Sequence, residues 1–120
     1  MLSSRKDLHP RQLAQTRASG TSPVSAILKK AKDKMVITSI VIANTTAGSV
    51  NYSIYLDKNG STYDQTTALF YAVALAANST AMVEFTDGLP FDSSPTDGNL
   101  AVQTSSSNAL TFTISGQVVS

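Results

Sequence analysis

From Val24 onward the chain runs as short apolar stretches rich in Val, Ile, Thr, Tyr and Phe, separated by turn residues at fairly regular intervals. The clearest pattern sets Val50, Tyr52, Ile54 and Leu56 against Asn51, Ser53 and Tyr55, a period of two that places the first set on the core face of a β-strand. Leu110, Phe112 and Ile114 alternate with Thr111, Thr113 and Ser115 in the same way. Met35 to Ala43 is nearly continuous in apolar character, as expected of a strand whose outer face is also covered, for instance by a neighbouring subunit. Weaker strands are predicted at Val24 to Leu28, Leu69 to Leu75, Thr80 to Phe85 and Leu100 to Thr104. Asn59-Gly60 supplies the residues of a tight reversal, and Ala76 to Ser79 a turn. Asp87 to Gly98 reads as a long loop, and Ser105 to Asn108 as the turn of a closing hairpin.

Seven or eight such strands, with no sustained helical period, predict an all-β, mainly antiparallel β-sandwich of Ig-like or jelly-roll type over residues 24–120. Strand order is not legible in the pattern. Residues 1–23 differ: they show neither period, and Pro10, Gly20 and Pro23 interrupt any regular element, so they read as an extended arm. A helical turn over Arg11 to Arg17 is too short to stand alone in water.

Charge sharpens this division. Residues 1–34 hold Arg5, Lys6, Arg11, Arg17, Lys29, Lys30, Lys32 and Lys34 against Asp7 and Asp33, a net +6. Residues 35–120 hold only Lys58 against Asp57, Asp64, Glu84, Asp87, Asp92 and Asp97, a net −5. A basic segment on an acidic body is steered to negative surfaces, so the arm is the expected interaction element. With 120 residues and no cysteine, one domain without disulfides or a thiolate zinc site is expected. No apolar block of a signal peptide opens the chain and no run is long enough to span a bilayer, so a soluble, unexported product is expected.

Candidate chemistry is sparse. His9, the sole histidine, lies in the arm away from any acid that would orient it as a base, and no enzyme activity is expected. Asp57, Asn59 and Asp64 surround Gly60, but the spacing departs from an EF-hand loop, and turn carboxylates accepting backbone N–H bonds are expected rather than a metal site. Asn44-Thr45-Thr46, Asn51-Tyr52-Ser53 and Asn78-Ser79-Thr80 match the glycosylation acceptor pattern and are read as turn and strand-edge residues. The arm lacks aromatics interleaved with its cations, which ranks nucleic acid below an acidic protein surface as partner. No cofactor is implied.

Several segments taken in order carry a resemblance. They are Leu13-Ala14-Gln15 with Arg17 and Ser19-Gly20-Thr21, Ile37-Thr38-Ser39-Ile40 running into Asn44-Thr45-Thr46, and Asp57 with Gly60-Ser61-Thr62-Tyr63-Asp64. They continue through Thr67-Ala68-Leu69, Ala77-Asn78-Ser79-Thr80, the run Gly98 to Thr104 and Ala109-Leu110-Thr111-Phe112-Thr113. Together these resemble a family of small β-sandwich virion structural proteins of tailed bacteriophages. The resemblance implies a structural part of a virion, assembled in the host cytoplasm, with the major capsid protein or other virion proteins and further copies of itself as partners.

On that basis a capsid decoration or cement protein is expected, bound to the head shell through its arm. Arg5, Lys6, Arg11 and Arg17 would pair with shell carboxylates, Leu8, Leu13 and Val24 would fill grooves, and Lys29 and Lys30 would belong to the same tethering segment. A tail, collar or fibre-attachment component is the alternative within the virion. A carbohydrate-binding module is the alternative of another class, with Tyr52, Tyr55, Tyr63, Phe70 and Tyr71 as candidate stacking residues.

Overall fold

The structure, a computed structural model, describes residues 8–28, 34–57, 62–91 and 99–119. Eight strands occur among them: β1 (Leu8–Arg17), β2 (Val24–Leu28), β3 (Lys34–Asn44), β4 (Val50–Asp57), β5 (Ala68–Leu75), β6 (Thr80–Phe91), β7 (Asn99–Thr104) and β8 (Leu110–Val119). They form two four-stranded sheets, with order β1-β8-β3-β6 in the first and β2-β7-β4-β5 in the second. Every pairing is antiparallel. The expected sandwich is therefore present, and its strand order, with successive strands passing back and forth between sheets, is that of a jelly roll rather than an Ig domain.

The alternation that predicted the strands also builds the core. Ile37, Ile40 and Ile42 of β3 and Leu110, Phe112 and Ile114 of β8 face Val50, Tyr52 and Ile54 of β4 and Leu100 and Val102 of β7, all buried. Burying each of these large side chains contributes on the order of 1.5–3 kcal/mol. At the centre of the first sheet, β3 and β8 approach closely at Gly116. A Cβ there would stand 2.0 Å from the Val36 carbonyl oxygen and 3.0 Å from a methyl carbon of Leu13. The register of β3 shifts beside it, between Ile37 and Ser39, where the Thr38 hydroxyl donates to the Ser115 carbonyl at 3.3 Å.

Three expectations change. The segment from Leu8 to Arg17 is an edge strand of the body, paired with β8 along its length, not part of a free arm. Its period was hidden by a bulge: the register skips between Gln12 and Ala14, so Leu13 and Ala14 both pack on the core while Gln12, Gln15 and Arg17 are exposed. An edge strand also accommodates Pro10, which a central strand would reject. Second, β6 runs on to Phe91, pairing with Met35, Val36 and Ile37 after an irregular stretch that holds Gly88 at φ 80°. The predicted loop shrinks accordingly, and residues 92–98 lie outside the described residues. Third, β7 and β8 sit in different sheets, so Ser105 to Asn108 is a crossing between sheets rather than a hairpin. Only β4 and β5 are consecutive strands paired with each other.

Candidate functional site

The crossings sort the connections into two ends. At one, residues 18–23, 45–49, 76–79 and 105–109 meet and are laced by backbone bonds. Asn108 N–H donates to the Ala18 carbonyl at 2.9 Å, Asn78 N–H to Thr46 at 3.0 Å and Asn44 N–H to Ser79 at 2.8 Å. None of these connections contains an ionisable residue; they are built from Ala, Ser, Thr, Asn, Gly and Pro. At the other end, Leu8 and Lys34 both pair with Val119, and Leu28 and Asp57 both pair with Asn99. Arg5 and Lys6 precede Leu8 in the chain, and Lys29 and Lys30 fall between Leu28 and Lys34.

The predicted partner-binding residues divide along these lines. Arg5, Lys6, Lys29 and Lys30 lie outside the described residues. Leu8, which follows the first pair, and Lys34, which closes the second segment, flank the same residue of β8, whereas Leu28, from which Lys29 and Lys30 continue, pairs with Asn99 in the other sheet. Topology thus sets the strand ends that bound both basic segments at one end of the sandwich. The backbone of Leu8 and Arg11 belongs to β1. Leu13 is half-buried against the core and so serves the body's own packing. Arg17 stands at the opposite, neutral end. Its guanidinium donates to the Thr111 hydroxyl at 3.2 Å, the Thr45 hydroxyl at 3.0 Å and the Asn108 carbonyl, stapling β1 to β8 and to two crossings.

Asn44, 2% exposed, holds the neutral end from inside. Its side-chain amide donates to the carbonyls of Gly48 at 2.9 Å and of Leu75 and Ala76 at 3.1 Å. Its side-chain oxygen accepts from the Thr46 N–H at 3.0 Å and the Thr46 hydroxyl at 2.7 Å. The Asn-Thr-Thr motif is thus committed to turn chemistry, as read from the sequence. The turn carboxylates behave likewise: Asp57 accepts from the Thr62 N–H at 2.7 Å, and Asp64 from the Thr66 N–H at 2.8 Å and the Thr66 hydroxyl. Those two bonds from Thr66 hold the Asp64 carboxyl below the ordinary aspartate value of 3.8.

Sequence reasoning singled out the outer face of Met35 to Ala43 but not the four-strand surface to which it belongs. In register across it stand Gln15, Thr113, Val41 and Met82, and beside them Gln12, Ser115, Ser39 and Glu84. Met82 is 62% exposed. The row was not visible in the sequence because it joins four strands that only the topology makes neighbours.

No protein-family model and no curated protein sequence matches the chain. Solved structures are similar in fold. A chain of the T13 IBDV viral particle aligns with a TM-score of 0.52 and 13% identity, over 93% of this chain and 30% of that one. A chain of the infectious bursal disease virus Gx strain aligns with a TM-score of 0.51 and 15% identity, over 92% and 32%. The tobacco streak virus coat protein aligns over 94% of this chain and 84% of its own, at a TM-score of 0.46 and 7% identity. This chain spans less than a third of the length of the first two. At such identities the likeness is one of fold.

Proposed function

We propose that the chain is a structural, non-enzymatic component of a bacteriophage virion, a decoration or cement protein on the head shell. The observation that carries this reading is the strand order β1-β8-β3-β6 over β2-β7-β4-β5, the two-sheet architecture found in capsid and lectin domains, in a chain whose fold is similar to that of a viral-particle chain. Fold alone does not fix function, so the assignment rests also on where the charge lies. Two basic segments, one holding Arg5 and Lys6 and the other Lys29 and Lys30, are bounded by strand ends at the same end of the sandwich, Leu8 and Lys34 flanking one residue of β8, and supply one cationic contact to acidic shell surface. The major capsid protein is the partner this contact fits, and further copies of the chain cover the remaining surface.

The arm of this proposal differs from the one the sequence implied: β1 belongs to the sandwich, and the arm is the segment before Leu8. The test removes residues 1–7 and, separately, replaces Lys29 and Lys30 by glutamate, then measures occupancy on purified particles beside unfolding of the free protein. Folded protein with occupancy lost in both variants is the expected result. Full occupancy in both would overturn the anchoring, and a map placing a handful of copies on the tail, instead of hundreds on the shell, would overturn the decoration role.

A further inference from the structure

The outer face of the second sheet carries an open cleft of about 300 Å³, lined by Thr21, Asn51, Ser53, Tyr71, Gln103 and Ser105 together with Ala72 and Thr104. We infer that this cleft is a binding subsite for a neutral saccharide, with the Tyr71 ring as stacking platform and the Asn51 and Gln103 carboxamides as hydrogen-bonding partners of sugar hydroxyls.

Three observations meet here. First, a bulge presents the aromatic. Opposite Ser53 alone, β5 places both Tyr71 and Ala72, and Ala72 takes φ 51°, a left-handed conformation that alanine rarely adopts. The Ser53 hydroxyl oxygen accepts the Ala72 N–H at 2.8 Å and holds this geometry in place. Tyr71 is left 52% exposed, whereas Tyr52 and Tyr55 are buried and Phe70 packs against the core. Of the five aromatic candidates, Tyr63 is half-buried with its ring centroid 6.3 Å from that of Tyr55. Only Tyr71 offers a largely open face among the five. Strain stored beside an exposed ring is a common mark of a functional position.

Second, the cleft is built from positioned groups. The Gln103 amide donates to the Thr21 carbonyl at 2.9 Å while its oxygen accepts from the Tyr55 hydroxyl, which fixes the carboxamide and leaves its second N–H for a ligand. The Ser105 hydroxyl oxygen accepts the Asn51 N–H at 2.9 Å, and the exposed Asn51 side chain projects from the same strand. Third, among the described residues no charged side chain lines the cleft. An aromatic face with neutral donors and acceptors suits the apolar face and hydroxyl rim of an uncharged sugar ring, and offers no counter-ion to an acidic one. An extended peptide is the poorer fit, because β5 breaks register twice along this edge and cannot template a regular added strand.

The test titrates the full chain with glucose, galactose, mannose and N-acetylglucosamine, each separately, and follows backbone amide shifts by NMR. At least one sugar should shift the Asn51, Ala72 and Ser105 amides with a Kd on the order of 1–10 mM, typical of so small a ligand. Tyr71→Ala should weaken that binding about tenfold, while Tyr71→Phe, which keeps the ring, should preserve it. The inference fails if none of the four sugars moves these amides, if Tyr71→Ala binds as the parent does, or if N-acetylneuraminic acid or a peptide binds in place of the neutral sugars. None of these outcomes depends on whether the chain sits on a shell.

Discussion

The two ends of the sandwich are built from different chemistry. At the neutral end four crossings without an ionisable residue are tied by backbone bonds, by the buried Asn44 amide and by the Arg17 guanidinium at the tip of β1. At the other end the strand termini include Lys34 and Asp57, and the adjoining sequence carries Arg5, Lys6, Lys29, Lys30, Lys32, Asp92 and Asp97. Small hydroxyl and amide side chains satisfy local backbone groups and need no counter-ion, so the neutral end closes on itself. Charged side chains are strongly hydrated and act at longer range, which suits the opposite end to steering a partner. Closure by neutral side chains is thus concentrated at one end, and the charge-based anchoring proposed above is set at the other.

The largest test of this contrast is Asn44→Ala. It removes the amide bonds to the Gly48, Leu75 and Ala76 carbonyls and the acceptor of the Thr46 N–H, and should cost about 3 kcal/mol of stability in urea unfolding. A loss below about 1 kcal/mol would mean that the backbone bonds close the neutral end unaided. Arg17→Ala comes next, with an expected loss of about 1 kcal/mol, since its acceptors are solvent-exposed. If stability is unchanged and particle occupancy falls instead, Arg17 belongs with the recognition residues and the separation of roles breaks down.

The smallest effect is expected at Asp64, in the β4–β5 connection of the charged end. Its folded pKa is lowered, so its stabilising contribution is present above the unfolded aspartate pKa and is lost as pH falls through the folded one. Thr66→Val removes the hydroxyl bond, the larger of the two causes, and keeps the backbone bond. An NMR titration should therefore show the Asp64 midpoint move up towards 3.8 without fully reaching it. The stability difference between parent and variant should be greatest above 3.8 and vanish once pH has fallen below the parent's folded midpoint; an unmoved midpoint would assign the shift to the backbone bond alone.

Inward-facing residues were largely legible in the sequence, because a period of two states which side chains share a face. Val50, Tyr52 and Ile54, and Leu110, Phe112 and Ile114, are all buried as that period requires. The same period does not say which sheet a strand joins, and so β7 and β8 looked like a hairpin. Tyr55 alternates outward yet is 1% exposed, because Tyr63 from the connection that follows β4 and Gln103 from the distant β7 cover it. The Leu13 bulge hid β1 by shifting its alternation by one residue. Tyr71 was named among five aromatics, but nothing local distinguished it; its exposure follows from a bulge set by the pairing of β5 with β4. Asn51 and Gln103 escaped notice for a related reason, since they meet only through the pairing of β4 with β7.

The position of β8 between β1 and β3 has a consequence for the chain as it leaves the ribosome. Among the described strands β1 pairs only with β8, so it stays unpaired in the sheet until Leu110–Val119 has been synthesised, although β3 and β6 can pair before then. A truncated product that stops short of Leu110 would display two unsatisfied strand edges where the finished protein has a closed centre.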